Sequence, residues 1–374
     1  MTKKSVATIK DVAKRAGVSV GTVSNVLAGS MTVGALVRAR VEAAIAQLDY
    51  HPNQVARSLK VKSTKRLGLV VSDITNPFFA QVLRGAEDCA LANGYVLITL
   101  NSDDKVEREK KILAVLRSSR VDGILLVVAP NAGDSTHITN LLKSGIPIVC
   151  LDRVDENIPL DCVSVNNVDA SQMCVRHLIQ QGHRRIAIIT GSPTLQPSRE
   201  RLQGYLAALK ESAINVEPGL IKEGDFHETS GYRLGKELLL LHRRPTAVFV
   251  SNGMMTIGFI HALNEVRLRC PEDIAVASFD DLPLAEAFHP QITVVSQPAY
   301  QIGHKGAQLL IDRLQRKISS QFPVSIRLNP ELKIRESTSI RLDLKEGMNS
   351  TGNSAGQPRR SPGRRKVAGI LSAN

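Results

Sequence analysis

No run of 18 uninterrupted apolar residues occurs in this 374-residue chain, so no segment is expected to span a bilayer. The opening Met-Thr-Lys-Lys-Ser leads into an amphipathic stretch carrying Lys10, Asp11, Lys14 and Arg15. That is not a secretory h-region, and the expectation is a cytoplasmic protein. Cysteine is sparse. Cys89, Cys150, Cys162, Cys174 and Cys270 are scattered without CxxC spacing, which argues for buried free thiols over disulfides or a metal site. Catalytic signatures are missing as well. No GxGxxG follows a strand, and GxxxxGK(S/T) and HExxH are absent, which leaves dinucleotide, phosphate-loop and zinc-protease chemistry without an anchor.

What is present is the composition of a globular protein, 43% apolar and 22% charged, long enough for two or three folded units. The net charge of +13 is uneven. Residues 1–62 hold ten lysines and arginines against Asp11, Glu42 and Asp49, a balance of +7. Residues 346–374 hold five against Glu346, a balance of +4, which leaves +2 for everything between. A basic head on a near-neutral body suits a polyanionic partner, although a solvated basic face would carry the same charge.

The head reads as three short helices. Thr8-Ile9-Lys10-Asp11 fits a capping box, and Ile9, Val12, Ala13 and Ala16 make one apolar helix face. Gly17 supplies the turn. Ser19 can cap a second helix, Val20 to Leu27, with Val23 and Leu27 inward. A third helix is expected from about Val33 to Leu48, buried through Val37, Val41, Ala44, Ile45 and Leu48. A short second helix with a polar outer face can lie in a major groove. Val20, Gly21 and Asn25 would face base edges, while Thr8, Ser19, Thr22 and Ser24 suit capping and phosphate contacts. A three-helix bundle for protein contacts is the alternative.

The series Thr8-Ile9-Lys10-Asp11-Val12-Ala13, Ala16-Gly17-Val18-Ser19, Thr22-Val23-Ser24 and Val26-Leu27 resembles the LacI/GalR family of bacterial repressors. Tyr50-His51-Pro52-Asn53 with Ala56-Arg57-Ser58-Leu59 is similar to that family's linker, and the likeness continues to Arg335-Glu336-Ser337-Thr338. It implies a hinge helix at 53–60 that orders on operator DNA, with Asn53, Ala56, Arg57, Leu59 and Lys60 at the DNA. Leu59 would be the wedge that part-unstacks the central step. It further implies a homodimer on a pseudopalindromic operator. Two departures stand out. Asn25 stands where Arg is frequent, which favours adenine over guanine, and Gly21 offers no side chain at a reading position.

Past residue 62, short apolar runs alternate with amphipathic stretches. Leu67–Val71, Val96–Leu100, Gly123–Val128, Ile146–Leu151, Ile186–Ile189, Ala247–Val250 and Ile274–Ala277 read as parallel strands buried on both faces. Phe78–Asn93, Lys105–Ser118, Ala170–Gln181 and Arg199–Glu211 read as helices between them. The fold class expected is thus a small all-α helix-turn-helix head on an α/β body of doubly wound lobes. The resemblance implies the periplasmic-binding-protein (type I) architecture, with strand crossovers near 163–165, 293–296 and 325–328. The organisation read is 1–52 for the head and 53–62 for the hinge. The body is 63–342, with lobe 1 about 63–163 and 295–325, and lobe 2 about 164–293 and 326–342. Residues 343–374, without heptads, read as a disordered basic tail.

A ligand would bind at the carboxyl ends of the strands. Asp73, Asn76, Phe78 and Phe79 follow the first strand, and Asp152-Arg153 the fourth. Asn167, Arg199, Arg201, Phe226, Asn252, Asp280 and Gln297 lie after later strands or at crossovers, and the resemblance implies contacts at or near many of these. Carboxylates, amides and Arg suit polyols; Phe78, Phe79, Phe226 and Phe279 offer rings. Asp and Asn at such places also cap helices, and Phe also builds cores. Gly253 stands where relatives frequently carry Asp, and His183 after Gly182 reads as a turn residue. No cofactor is expected. The effector is expected to be a sugar or sugar derivative, and the target genes those of carbohydrate or sugar-acid catabolism. A purine-responsive regulator, and more remotely an α/β enzyme with a DNA-binding head, are the alternatives. An exported solute-binding protein fits neither the opening segment nor the basic head.

Overall fold

The computed structural model describes residues 7–27, 29, 32–50, 63–130, 134–282, 289–318 and 322–339. In the head, Thr8 and Asp11 close a capping box around α1 (Ile9–Ala16). The Thr8 N–H donates to Asp11 Oδ2 at 2.8 Å and its hydroxyl donates to the same oxygen at 2.7 Å. Gly17 ends the helix at φ 67°, a left-handed conformation that costs glycine nothing. Ser19 Oγ accepts the Thr22 N–H at 3.1 Å and so starts α2 (Val20–Leu27). The third helix, α3 (Ala35–Leu48), begins later than expected, because Gly34 with extended ψ is its N-cap. Val12, Ala13, Ala16, Val23, Val26, Val41 and Ala44 form the core, and Leu27 is only partly buried beside Val26. Tyr50, near the end of the head, is buried in that core.

Two six-stranded sheets make the body. The first contains β1 (Arg66–Val71), β2 (Val96–Asn101), β3 (Gly123–Leu126), β4 (Ile148–Leu151), β5 (Asp161–Val165) and β11 (Ser325–Leu328). Their order is β11-β5-β4-β3-β1-β2, parallel throughout. The second contains β6 (Ile186–Thr190), β7 (Ile221–Glu223), β8 (Ala247–Val250), β9 (Ala275–Phe279), β10 (Thr293–Ser296) and β12 (Glu331–Lys333), in the order β12-β10-β9-β8-β6-β7. Only β12, the short return strand, is antiparallel there. In each sheet the chain starts in the interior, moves to one edge, then returns to wind the other way. That reversal leaves a crevice at the carboxyl ends of β1 and β3 and of β6 and β8.

Helices cover both faces of each sheet. On the first, α4 (Pro77–Ala92) and α11 (Ala299–Leu314) pack on one side, α5 (Val106–Ser118) and α6 (Thr136–Lys143) on the other. On the second, α7 (Asn167–Gln180) and α8 (Gln196–Glu211) face α9 (Glu228–Leu239) and α10 (Gly253–Glu265) across the strands. The strands β3, β4, β6 and β8 are buried along their whole length, which is why they read as continuous apolar runs. Burial of each such Leu, Ile or Val contributes roughly 1.5–3 kcal/mol. The second run, β2, departs from that reading: it is an edge strand, with Val96 58% exposed. Close approach of α4 to α11 depends on Gly303, where a Cβ would lie 1.8 Å from the Val82 carbonyl oxygen.

The chain changes lobe three times. It leaves the first sheet after β5, returns after β10 and leaves again after β11. The crossovers therefore lie near the expected segments, directly after 163–165, 293–296 and 325–328. Those residues are still paired in their sheets, and only the linking residues beyond the last ladder bonds are free to turn. Asn166 N–H to the Leu328 carbonyl, 3.0 Å, ties two of the links together. The five cysteines are free and buried, and burial pushes the Cys174 and Cys270 thiols up to about 12. Among the described residues no helix is long and apolar enough to cross a membrane.

Candidate functional site

Two surfaces concentrate the candidate residues. On the head, Val20 is 41% exposed, and Gly21 and Asn25 are exposed beside it on one side of α2. Thr22 and Ser24 are half-buried, and the Thr22 hydroxyl lies 2.9 Å from Ser19 Oγ. The start of α2 thus presents backbone amides and two hydroxyls, a suitable seat for a phosphate oxygen. Asn53, Ala56, Arg57, Leu59 and Lys60, like the 343–374 tail, lie outside the described residues.

The second surface is the crevice between the lobes. Ten of the thirteen candidates line one cavity there: Asn76, Phe78, Phe79, Asp152, Arg153, Arg201, Phe226, Asn252, Asp280 and Gln297. Pro197, not among them, lines it too. The free volume of the cavity is about 20 Å³, room for roughly one water.

Arg201 is the centre of this cavity. Its Nε donates to Asn167 Oδ1 at 2.9 Å, a second nitrogen donates to the Ser251 carbonyl at 2.7 Å, and its carbon lies 3.7 Å from the Phe279 ring centroid. Phe279 is fully buried, so its ring is the floor under Arg201 and not a stacking surface for a ligand. Burial lowers the Arg201 pKa, against the pull of Asp280 and Asp152. Burial likewise raises Asp152, to about 6, and repulsion by Asp280 adds to this while Arg201 and Arg153 oppose it. Asp280 is also raised by burial, offset by Arg201 and by the Gln297 amide that donates to it at 2.5 Å.

Backbone conformation marks the same residues. Asp152 (φ 63°), Phe226 (φ 70°) and Asp280 (φ 72°) all sit in the left-handed region, where a side chain costs on the order of 1–3 kcal/mol. Asn252 holds one of them in place: its Nδ2 donates to the Phe226 carbonyl at 2.9 Å while its Oδ1 caps α10 through the Met255 N–H. Hydrogen bonding in the cavity is incomplete. Asp152 Oδ1, Arg153 Nε and Gln297 Oε1 are buried without a hydrogen-bond partner among the described residues.

Three candidates are elsewhere. Asp73 closes a turn with Thr75, accepting its N–H at 2.9 Å. Asn167 stands behind Arg201 and donates to Glu200 at 3.0 Å. Arg199 is half-exposed and reaches Glu156 of the first lobe at 2.6 Å, because on α8 it lies two residues, about 200°, from Arg201. His183 bonds Thr246 at 3.0 Å in its turn. Among the described residues no group of three or more His, Cys, Asp or Glu could hold a metal.

Comparison with known proteins covers both surfaces. Residues 8–53 match the family described as bacterial regulatory proteins, lacI family, and residues 175–338 match the periplasmic binding protein-like domain. The chain is 35% identical to the HTH-type transcriptional repressor PurR of Pasteurella multocida, over 90% of this chain and 100% of that one. It is 36% identical to the ribose operon repressor of Escherichia coli, over 84% and 95%. Among solved structures, the lac repressor dimer bound to operator and the anti-inducer ONPF matches with a TM-score of 0.79 and 28% identity, over 89% of this chain and 99% of that one. The transcriptional regulator CelR–cellobiose complex matches at 0.68 and 31%, over 88% and 99%.

Proposed function

We propose that this chain, which belongs to the lacI family of bacterial regulatory proteins and is a DNA-binding transcriptional repressor with an effector-binding domain, answers to a neutral sugar. The observation that carries this reading is the set of unfinished hydrogen bonds around Arg201. Two unpartnered acceptors, Asp152 Oδ1 and Gln297 Oε1, and one unpartnered donor, Arg153 Nε, need a ligand rich in groups that both give and take. Hydroxyls do both. The charges are balanced: Arg153 and Arg201 face Asp152 and Asp280. A sugar acid would add an anion beside two carboxylates that burial already raises, so the neutral sugar is favoured. A purine is the second reading, supported by Phe78 and Phe226 on the wall and by the identity to PurR proteins.

On the DNA side, Val20 and Asn25 read base edges and Gly21 faces them without a side chain, with Thr8, Ser19, Thr22 and Ser24 capping or at phosphates. Asn53, Ala56, Arg57, Leu59 and Lys60 form the hinge at the operator centre. The protein acts as a homodimer on a pseudopalindromic operator, since one helix reads only a half-site. Effector in the cleft changes the angle between lobes, and the dimer transmits this to hinge spacing.

A thermal-shift panel of neutral sugars, sugar acids and nucleobases tests the effector class. A ligand at a hundred times its dissociation constant stabilises by about 2.7 kcal/mol, and a shift confined to nucleobases contradicts the sugar reading. Leu59→Ser should weaken operator binding and leave effector binding intact; unchanged operator affinity contradicts the wedge.

A further inference from the structure

A second chamber opens beside the cavity around Arg201. Its free volume is about 150 Å³, against about 20 Å³ at the centre of the cleft, and Arg153 lines both. The walls come from the carboxyl ends of β3 and β4 in the first lobe and of β6 in the second. The polar lining includes Arg153, Asp155, Glu156, Asn157, Gln196 and Arg199. A void of about this size accommodates a six-membered ring.

The chamber carries no spare positive charge. Arg199 is paired with Glu156 across the cleft at 2.6 Å, and Arg153 with Asp104. Asp155 adds a further carboxylate. A phosphate or carboxylate would therefore find its cations already engaged.

Its hydrogen bonding is unfinished. The Arg153 and Gln196 side chains are more than nine-tenths buried, yet Arg153 Nε and Gln196 Oε1 have no hydrogen-bond partner among the described residues. The nearest carboxylate oxygen recorded for that Nε, Asp152 Oδ2, is 3.9 Å away. One atom can only donate and the other can only accept. A hydroxyl answers both needs; an apolar group answers neither.

We propose that the effector has two parts and that this chamber takes the second, a neutral hydroxyl-bearing ring joined to the part held by Asp152, Arg201 and Asp280. The proposal rests on the cleft being the effector site. It assigns the effector to the class of disaccharides and glycosides over free monosaccharides. If the first part is a purine, it assigns a nucleoside over a free base.

Calorimetric titration of the full chain with paired probes tests this: glucose against cellobiose and maltose, hypoxanthine against inosine, glucose against glucose 6-phosphate. In the disaccharide or the nucleoside comparison the larger member should bind about tenfold tighter or better, a difference of about 1.4 kcal/mol. Gln196→Leu and Asn157→Ala should each shrink that ratio, and the phosphate should gain nothing over glucose. The proposal is overturned by a monosaccharide or free base that binds as tightly as its disaccharide or nucleoside partner, by a ratio that survives both substitutions, by tighter binding of the phosphate, or by binding of no probe. Should hypoxanthine or inosine bind while every sugar is silent, the sugar reading fails alone. The chamber then stands or falls on the inosine-to-hypoxanthine ratio.

Discussion

Head and cleft keep their polar groups in opposite states. On the head, the capping and reading groups are exposed or half-exposed, and those that bond do so locally, Thr8 with Asp11 and Ser19 with Thr22. In the cleft, Asp152, Arg153, Arg201 and Asp280 are buried, and several of their neighbours lack a partner. A surface that meets DNA exchanges water for phosphate oxygens and base edges, so it can wait fully hydrated. A cleft that must recognise a small molecule has far less area to work with, and it gains by holding desolvated groups whose hydrogen bonds only the ligand completes. The left-handed backbone at Asp152, Phe226 and Asp280 accords with the proposed role of the cleft: local strain holds these three residues at its wall.

The comparison breaks first at Arg201. Arg201→Met leaves Asp152 and Asp280 buried without their cation, so it should destabilise the chain by about 3–5 kcal/mol in urea denaturation. Effector affinity should fall by about 2–5 kcal/mol in calorimetry. Unaltered effector affinity would place the ligand elsewhere.

Asp152 sharpens the contrast through pH. Its carboxyl titrates near 3.8 when unfolded and at about 6 in the native cleft. The native state therefore binds the proton more tightly, and keeping the group ionised costs on the order of 2–3 kcal/mol above pH 6. Asp152→Asn should be the more stable protein at pH 8 by that order, and the gain should fade as pH drops from 6 to 4. Thermal melting across that range reads it; a gain that grows on acidification would reverse the assignment. On the head, Asn25→Ala should relax preference at one base pair per half-site by about 1–3 kcal/mol, measured by selection from randomised operators. A uniform loss over all sequences would mean that Asn25 reads no base. Ser19→Ala is the smallest effect, about 1 kcal/mol of cap, visible as faster hydrogen exchange in α2.

Legibility in the sequence followed the same divide. The head is built from local signals, a capping box, a left-handed glycine and apolar positions three and four apart, and its helices lie where those signals put them apart from the Gly34 cap. Buried strands such as β3 and β8 announce themselves as apolar runs. Five strands were not read as such: β7 and β12 are three residues long and half-exposed at sheet edges, so their register comes from neighbours, while β5, β10 and β11 fall where the reading placed only crossovers. In the cleft, position after a strand was enough to gather ten residues at one cavity. It did not separate Arg199, which α8 turns into the neighbouring chamber, or Phe279, whose ring is covered by the guanidinium it supports. Gln196 carried no signal at all: its role depends on which chamber lies beside it.

The central claim is that head and cleft are one thermodynamic unit. Operator fragments selected by the protein from random DNA, titrated with and without the sugar giving the largest thermal shift, test it directly. The account predicts that the sugar changes operator affinity by about tenfold or more, and that operator changes sugar affinity by the same factor. An operator affinity indifferent to a sugar that saturates the cleft would contradict it.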